Sequence, residues 1–147
     1  MNLIPAIPAD APELVAMARL FHAGDGHALS AEGETALQKA LEAQPYARVW
    51  KIVQDGAVAG YGVLCFSFSI EFGGMTAYLD DLYVKPAFRG HGIGTAALQA
   101  FEKIARDEGC CIFHLETEPA NVKAHEFYLR HGLHDTRRRL LIKKLYT

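Results

Sequence analysis

The chain has few cysteines, no strong excess of charge and no long apolar run. It contains three cysteines in 147 residues, two of them adjacent at Cys110 and Cys111, and no C-x-x-C pair. Adjacent cysteines are poorly placed to bridge each other, so a disulfide framework and a zinc site are both disfavoured. We expect reduced, largely buried thiols instead, as in a cytoplasmic protein.

The charge balance and the hydropathy pattern exclude further classes of partner. The formal net charge is −2, whereas nucleic-acid-binding modules usually carry a strongly basic face. The longest apolar-rich run, residues 63–70, is interrupted by Ser67 and Ser69 and is far shorter than the roughly 20 residues that span a bilayer. The first five residues contain no basic side chain, so no signal peptide is predicted. We therefore expect no nucleic-acid partner, no membrane partner and a cytoplasmic location.

The pattern of apolar residues predicts one α/β domain over residues 1–147. The predicted order of elements is β-α-α-β-β-β-α-β-α-β, an antiparallel run followed by a βαβ crossover. Strands are predicted over residues 3–7, 48–54, 58–68, 76–84, 111–117 and 137–146, and the two later helices over residues 92–107 and 121–131. Residues 22–29 are predicted to form a loop between the first two helices. This order predicts a mixed sheet with helices on its faces.

The most informative stretch is the glycine-rich turn between the fourth predicted strand and the helix that follows it. Gly90, Gly92 and Gly94 follow Arg89 at alternating positions. Glycines let main-chain amides approach a ligand, and a helix start adds positive partial charge, so this turn is a candidate phosphate site. Its spacing differs from the G-x-G-x-x-G of dinucleotide-binding turns, and the Gly-Lys-Ser/Thr of P-loops is missing. A plain glycine-rich connection is the structural alternative.

Two segments carry a more specific signature. Residues 89–94 read RGHGIG, residues 121–132 read NVKAHEFYLRHG, and a predicted helix and strand separate them. The first segment matches the Q/R-x-x-G-x-G/A signature of the GNAT family of N-acetyltransferases, and the second resembles that family's N-x-x-A-x-x-x-Y-x-x-x-G segment. Residues 80–84, DDLYV, resemble the acidic pair of the diamine and polyamine acetyltransferases. The element order also fits, so the resemblance covers nearly the whole chain and implies the GNAT-like acyl-CoA N-acyltransferase fold.

The resemblance implies acetyl-CoA as the acyl donor and no metal. In this family the pyrophosphate of acetyl-CoA binds the glycine-rich turn, and the pantetheine arm pairs with the strand before it. The backbone N–H of Leu82 is then expected to face the thioester carbonyl, and Val84 to hold the pantetheine. The implied cofactor-binding residues are Leu82, Val84, Arg89, Gly90, His91, Gly92, Gly94, Thr95 and Asn121.

Acetyl transfer to an amine also needs an acid and a base. Tyr128 matches the family's tyrosine, which is implied to protonate the leaving thiolate. Asp80 is predicted as the base or amine binder and Glu116 as the second candidate, with a purely structural carboxylate as the alternative for each. His114 is a weaker candidate base. Strand alternation places Asp80 and Asp81 on opposite faces unless a β-bulge intervenes.

These features predict an N-acetyltransferase that moves an acetyl group from acetyl-CoA to a primary amine of a small-molecule or peptide acceptor by direct attack in a ternary complex. The alternative is a catalytically inert CoA-binding, sensor or assembly module of the same fold. By family analogy the loop with His22, Asp25 and His27 lies over the acceptor, and its two glycines argue against a metal site. A homodimer is left open, since a C-terminal strand could pair across a two-fold axis.

Overall fold

The computed structural model describes residues 1–146, which divide into two compact units. The first unit, Met1–Glu116, contains strands β1 to β5 and helices α1 to α3: β1 Asn2–Pro5, α1 Ala11–Gly24, α2 Ala31–Ala40, β2 Ala47–Gln54, β3 Ala57–Ser69, β4 Gly74–Val84, α3 Ile93–Asp107 and β5 Ile112–His114. The five strands form one sheet in the order β1-β2-β3-β4-β5, antiparallel except for the parallel pair β4 and β5. The second unit begins at Thr117 and contains α4, Val122–Arg130.

Local turn and cap chemistry explains several of these boundaries. Asp55 and Gly56 join β2 to β3 with φ values of 50° and 77°, the left-handed pair that a two-residue hairpin turn needs. The Ser30 side chain accepts a hydrogen bond of 3.0 Å from the Gly33 N–H and so caps the start of α2. The turn needs residues that adopt a left-handed φ, and the helix start needs a side-chain acceptor. The sequence supplies both, so these boundaries follow from it.

Helices cover both faces of the sheet in the first unit. On one face, α1 and α2 bury a cluster of apolar side chains with the strands, namely Leu14, Val15, Met17, Ala18, Leu37, Leu41, Val49, Tyr61, Val63 and Tyr83. On the other face, Phe101 of α3 is fully buried and meets the Trp50 ring edge to face, with the ring centroids 5.7 Å apart. Because both faces are covered, an open sheet of this kind leaves its strand ends and edges for ligand binding.

Two glycines of β3 set how closely the layers approach. A Cβ at Gly62 would overlap the Phe101 ring of α3, and a Cβ at Gly60 would overlap the Tyr83 carbonyl oxygen of β4. Both contacts exist only because glycine has no side chain. The packing of α3 on the sheet and the pairing of β3 with β4 near Tyr83 therefore depend on these two residues.

The predicted order of elements is confirmed from β1 to α4, but the final strand over residues 137–146 is wrong. Residues 133–146 contain no helix or strand, and Leu141 and Ile142 are 89% and 87% exposed. Apolar residues at consecutive positions occupy both faces of an extended segment. The pattern of residues 137–146 therefore favours an extended chain but does not define one apolar face that could be buried. Arg137 also adopts a left-handed φ of 57°, which interrupts an extended chain.

Two further boundaries differ from the prediction. Helix α1 continues through His22 to Gly24, so His22 lies on a helix rather than in the predicted loop over residues 22–29. Strand β5 covers only Ile112–His114 instead of residues 111–117. Helix α1 is longer because the spacing of Leu14 and Ala18 continues to His22, and β5 is shorter because its pairing with β4 ends at Tyr78 and His114.

The helices of the described residues are short. The longest, α3, has 15 residues, whereas a bilayer requires about 20 apolar ones. Within residues 1–146, no helix combines the length and the hydropathy of a membrane span.

Candidate active site

The edge of β4 that faces β5 is open over its second half. Strand β5 pairs with β4 only over Thr76–Tyr78, whereas β3 pairs with β4 as far as Val84. The Lys85 N–H donates to the Ala59 carbonyl at 2.7 Å, so the main-chain groups of Lys85 point toward β3. Because these groups alternate along a strand, those of Leu82 and Val84 point to the opposite edge. Among the residues that the structure describes, no strand pairs with that edge.

A β-bulge lies at the start of this open edge. Val63 of β3 pairs with Asp81 and Leu64 pairs with Leu79, which leaves Asp80 as an extra residue in β4. The bulge disrupts the ladder and bends the strand. As a result Asp80 is exposed while Asp81 is buried, with 7% of its surface accessible. The β-bulge considered in the sequence analysis is therefore present.

Asp81 is held between a tyrosine and a histidine. The Tyr61 hydroxyl donates a hydrogen bond of 2.6 Å to Asp81 Oδ2, and His22 Nε2 lies 3.3 Å from the same oxygen. The hydrogen bond to Asp81 raises the pKa of His22 above its ordinary value, with burial acting in the opposite direction. Burial and then the charge of Asp81 raise the pKa of Tyr61, so its hydroxyl stays protonated and remains a donor.

A second group of polar side chains surrounds the bulge: Tyr78 and Asp80 from β4, Cys65 from β3, and Glu116, which follows β5. Although Asp80 is exposed at the surface, neighbouring protein atoms partly desolvate its carboxyl group. This desolvation and then the nearby Asp81 charge raise the pKa of Asp80, with a smaller contribution from Glu116. Burial raises the pKa of Tyr78, and the Glu116 carboxylate, which accepts its hydrogen bond, raises it further. Burial raises the pKa of Cys65, across from Tyr78 on β3, to about 11, and Asp80 and Asp81 contribute. Three carboxylates therefore act on one region of the sheet and create a negative potential there.

The glycine-rich turn has the geometry of an anion site. Gly90 and Gly92 have φ values of 79° and 77°, a left-handed conformation in which glycine is favoured. A Cβ at either position would meet no atom within 4 Å, so the turn borders open space. Gly92 begins α3 without a side-chain cap, and Gly94 and Thr95 lie in its first turn. Uncapped N–H groups at a helix start favour a bound anion.

Arg89 is anchored to the end of β4. Its Nε donates to the Val84 carbonyl at 2.7 Å, and its guanidinium carbon lies 5.6 Å from the centroid of the Tyr83 ring. His91 Nδ1 lies 2.8 Å from the Arg89 carbonyl oxygen. The guanidinium is therefore fixed beside both the open edge of β4 and the glycine-rich turn.

The remaining predicted site residues belong to the second unit. Asn121 Oδ1 accepts a hydrogen bond of 3.2 Å from the Ala124 N–H and caps α4. Tyr128 lies near the end of α4, is half-buried, and has its ring centroid 5.2 Å from that of Phe127. Gly132 follows the helix with a φ of 89°. The cofactor role of Asn121 and the acid role of Tyr128 stay predictions.

The first unit brings together most of the predicted site and adds one group that the sequence analysis missed. Leu82, Val84 and the turn over residues 89–95 lie next to one another, with Asp80 at the bulge just before them. The missed group is the contact of His22 with Asp81. Its signal was present, because Leu14, Ala18 and His22 recur every fourth residue and so share the buried face of α1. Within residues 1–146, no group of three or more His, Cys, Asp or Glu is arranged to hold a metal ion.

Comparison with known proteins agrees with this geometry. A family model for the acetyltransferase (GNAT) family matches residues 14–133. A thialysine N-epsilon-acetyltransferase of Sus scrofa is 38% identical over 82 residues, which cover 56% of this chain and 48% of that protein. An aminoglycoside N(6')-acetyltransferase type 1 of Klebsiella aerogenes is 32% identical over 92 residues, which cover 61% of this chain and 60% of that protein. The chain thus spans about half the length of the curated relatives it matches.

A solved structure gives the same result for the fold. An aminoglycoside N-acetyltransferase in complex with CoA superimposes with a TM-score of 0.79 and 16% identity, covering 99% of this chain and 95% of that chain. At this identity the likeness shows the shared fold alone. The fold class predicted from the sequence is confirmed, and so is the family resemblance, since the family model covers most of the chain. The chain belongs to the acetyltransferase (GNAT) family.

Proposed function

We propose that this chain is an N-acetyltransferase that moves the acetyl group of acetyl-CoA to a primary amine by direct attack in a ternary complex. The observation that carries the proposal is the open edge of β4 at Leu82 and Val84, which leads directly into the glycine-rich turn and the uncapped start of α3. An edge with unpaired main-chain groups suits an extended pantetheine arm, and the turn suits its diphosphate. We propose that residues 1–147 act as a single acetyltransferase domain.

The donor fits the residues of the first unit. Main-chain amides at Gly90, His91 and Gly92 and the first turn of α3, with Gly94 and Thr95, are proposed to bind the pyrophosphate, and Arg89 adds a positive charge beside it. Val84 is proposed to pair with the pantetheine. The Leu82 N–H is proposed to donate to the thioester carbonyl, whose oxygen gains negative charge as the amine attacks.

The second unit carries two further residues of the family's motif, and we propose their roles from that match. Asn121, which caps α4, is proposed to bind the pantetheine as well. The Tyr128 hydroxyl is proposed to protonate the leaving thiolate, since a tyrosine ordinarily carries its proton at physiological pH and can donate it to the sulfur as the C–S bond breaks. Both assignments rest on the match of residues 121–132 to the family's motif.

The acceptor is proposed to be a cationic primary amine of a small molecule or peptide. Asp80 and Glu116 act on the same region of the sheet as buried Asp81, and their negative potential favours a cation. Asp80 is proposed as the base or amine binder and Glu116 as the second candidate. The Sus scrofa relative is named for thialysine and the Klebsiella aerogenes relative for an aminoglycoside, and both of these molecules are amines.

We also propose a cytoplasmic location, which the free thiols of Cys65, Cys110 and Cys111 fit.

A thiol-release assay tests the proposal. The full chain is incubated with acetyl-CoA and, in turn, thialysine, lysine, spermidine and kanamycin, and CoA release is followed with a thiol reagent while mass spectrometry identifies the acetylated amine. We expect amine-dependent release that saturates with at least one amine. Cofactor binding in calorimetry without release for any amine in the panel would favour the inert CoA-binding module instead.

A further inference from the structure

His22 lies where the last turn of α1 meets the bulge of β4. Its Nε2 is 3.3 Å from Asp81 Oδ2, and a carboxylate can only accept a hydrogen bond. Nε2 therefore carries the proton of the neutral ring, and Nδ1 holds the lone pair. Within the described part of the chain Nδ1 makes no hydrogen bond, and the side chain is 33% exposed. The ring thus keeps a proton acceptor, and the charges of Asp80 and Asp25 act on it.

Asp81 is fixed by the rest of the fold. It is buried, and its Oδ2 also receives the 2.6 Å hydrogen bond from Tyr61, whose side chain is fully buried. Tyr61 and His22 approach the same oxygen from β3 and α1. A carboxylate buried in this way costs desolvation energy that an apolar residue would avoid. The arrangement orients an imidazole, as the carboxylate does in a nucleophile–histidine–carboxylate triad.

We propose that His22 Nδ1 is the base that takes the proton from the acceptor's ammonium group, with Asp81 and Tyr61 as positioning residues that fix its orientation and tautomer. This proposal rests on the proposed acetyl transfer. It leaves Asp80, which is exposed at the bulge, as the carboxylate that binds the ammonium. It also leaves Glu116 as the partner of Tyr78.

The proton and electron balance is complete without another reactant. The bound ammonium, R–NH₃⁺, gives one proton to His22 Nδ1, which releases it to solvent. The neutral amine nitrogen then attacks the acetyl carbonyl carbon, the C–N bond forms, and the C–S bond breaks with its electron pair on sulfur. The nitrogen loses its second proton and the thiolate gains one. The net products are the amide, CoA thiol and one proton.

The surroundings of His22 suit a base that works near neutral pH. The charged groups that act on it are Asp81 and Asp80 from β4 and Asp25 from the end of α1, and all three raise its pKa, which burial opposes. A base is most effective when its pKa lies near the working pH. A carboxylate has an ordinary pKa of about 4 and is a weaker proton acceptor from an amine of pKa about 10.4.

The substitution His22→Gln tests the proposal, because glutamine keeps an N–H for Asp81 and cannot titrate. The full chain is assayed against each amine of the panel from pH 6 to 10, with His134→Gln as the control, since His134 is exposed and lies in the second unit. We expect kcat at pH 7 to fall about 100-fold or more, with the Kd for acetyl-CoA unchanged. The acid limb of the kcat profile, expected above pH 6.5 in the parent, should move toward the pKa of the amine.

A second measurement needs no acceptor and separates this proposal from the proposed function. Long-range ¹H–¹⁵N NMR of the full chain reports the tautomer and pKa of His22, and the same spectrum of Asp81→Asn reports the effect of the carboxylate. We expect the Nε2–H tautomer, and a lower His22 pKa in Asp81→Asn. A Nδ1–H tautomer in the parent, or an acid limb and kcat unchanged by His22→Gln, would overturn the assignment. If no amine in the panel is acetylated, the proposed function fails while the spectra still decide the state of the ring.

Discussion

Replacing Gly92 with alanine is expected to separate cofactor binding from folding stability. Gly92 has a φ of 77° and open space around the position of an added Cβ. The stability cost is therefore the left-handed backbone alone, about 1–2 kcal/mol. The stiffer unfolded chain returns about 0.4–1 kcal/mol of this. We expect a net loss of about 1 kcal/mol, or about 2–4 °C in Tm.

Gly109 provides the matched control at the other end of α3. It has a φ of 83° and equally open space, and its N–H donates to the Arg106 carbonyl at 3.0 Å, a bond that alanine keeps. Gly109→Ala should therefore lose the same stability as Gly92→Ala. The two variants differ only in whether the strained residue lies in the proposed diphosphate site.

Calorimetric titration with acetyl-CoA and urea denaturation of both variants complete the experiment. Relaxation of residue 92 away from the left-handed region moves the amides of the turn and removes at least one charge-assisted hydrogen bond, about 1.5–3 kcal/mol. The Kd for acetyl-CoA should rise about 10- to 100-fold in Gly92→Ala and stay at the parent value in Gly109→Ala. Equal Kd values in both variants and the parent, at equal loss of stability, would refute the assignment of the turn.

Three further changes test other parts of the molecule. Tyr128→Phe should lower kcat by about 100-fold or more and leave the Kd for acetyl-CoA near that of the parent, because it removes only the proton of the proposed acid; an unchanged kcat would exclude that role. Gly62→Ala should cost about 1–3 kcal/mol in urea denaturation, since the new Cβ overlaps the Phe101 ring, and a stability equal to the parent's would contradict the close packing of α3. Cys65, with a pKa raised to about 11, should react with iodoacetamide at pH 8 more slowly than exposed Cys111, as peptide mass spectrometry can measure; equal rates would contradict its burial.

The sequence predicted those features that depend on neighbouring residues. The glycine-rich turn was recognised because strand, glycines and helix start are contiguous, and the left-handed φ values of Gly90 and Gly92 agree with it. The predicted strand over residues 137–146 failed because β propensity is local, whereas strand pairing requires a distant partner. The sequence pattern alone could not supply that partner.

The contact of His22 with Asp81 was missed for a related reason. The two residues are 59 positions apart, and Tyr61 and Asp81 are 20 apart, so only the register of β3 with β4 and the packing of α1 bring them together. The bulge could be considered from the DD pair, but its place in the ladder depends on that register. Helical spacing could have placed His22 on the buried face of α1. It could not have identified the carboxylate it meets.

Asp80, the extra residue in β4, affects which mutations the sheet can tolerate. The pairs of Val63 with Asp81 and Leu64 with Leu79 would be adjacent in a regular ladder if Asp80 were absent. Deletion of Asp80 would therefore keep every side chain of β4 on its present face while straightening the strand. A shortened chain of this kind should retain the hydrophobic core and lose the bend that the bulge gives to β4. Sheet integrity and the proposed acetyl transfer thus depend on different residues of one strand, so mutation can alter the second while the first is preserved.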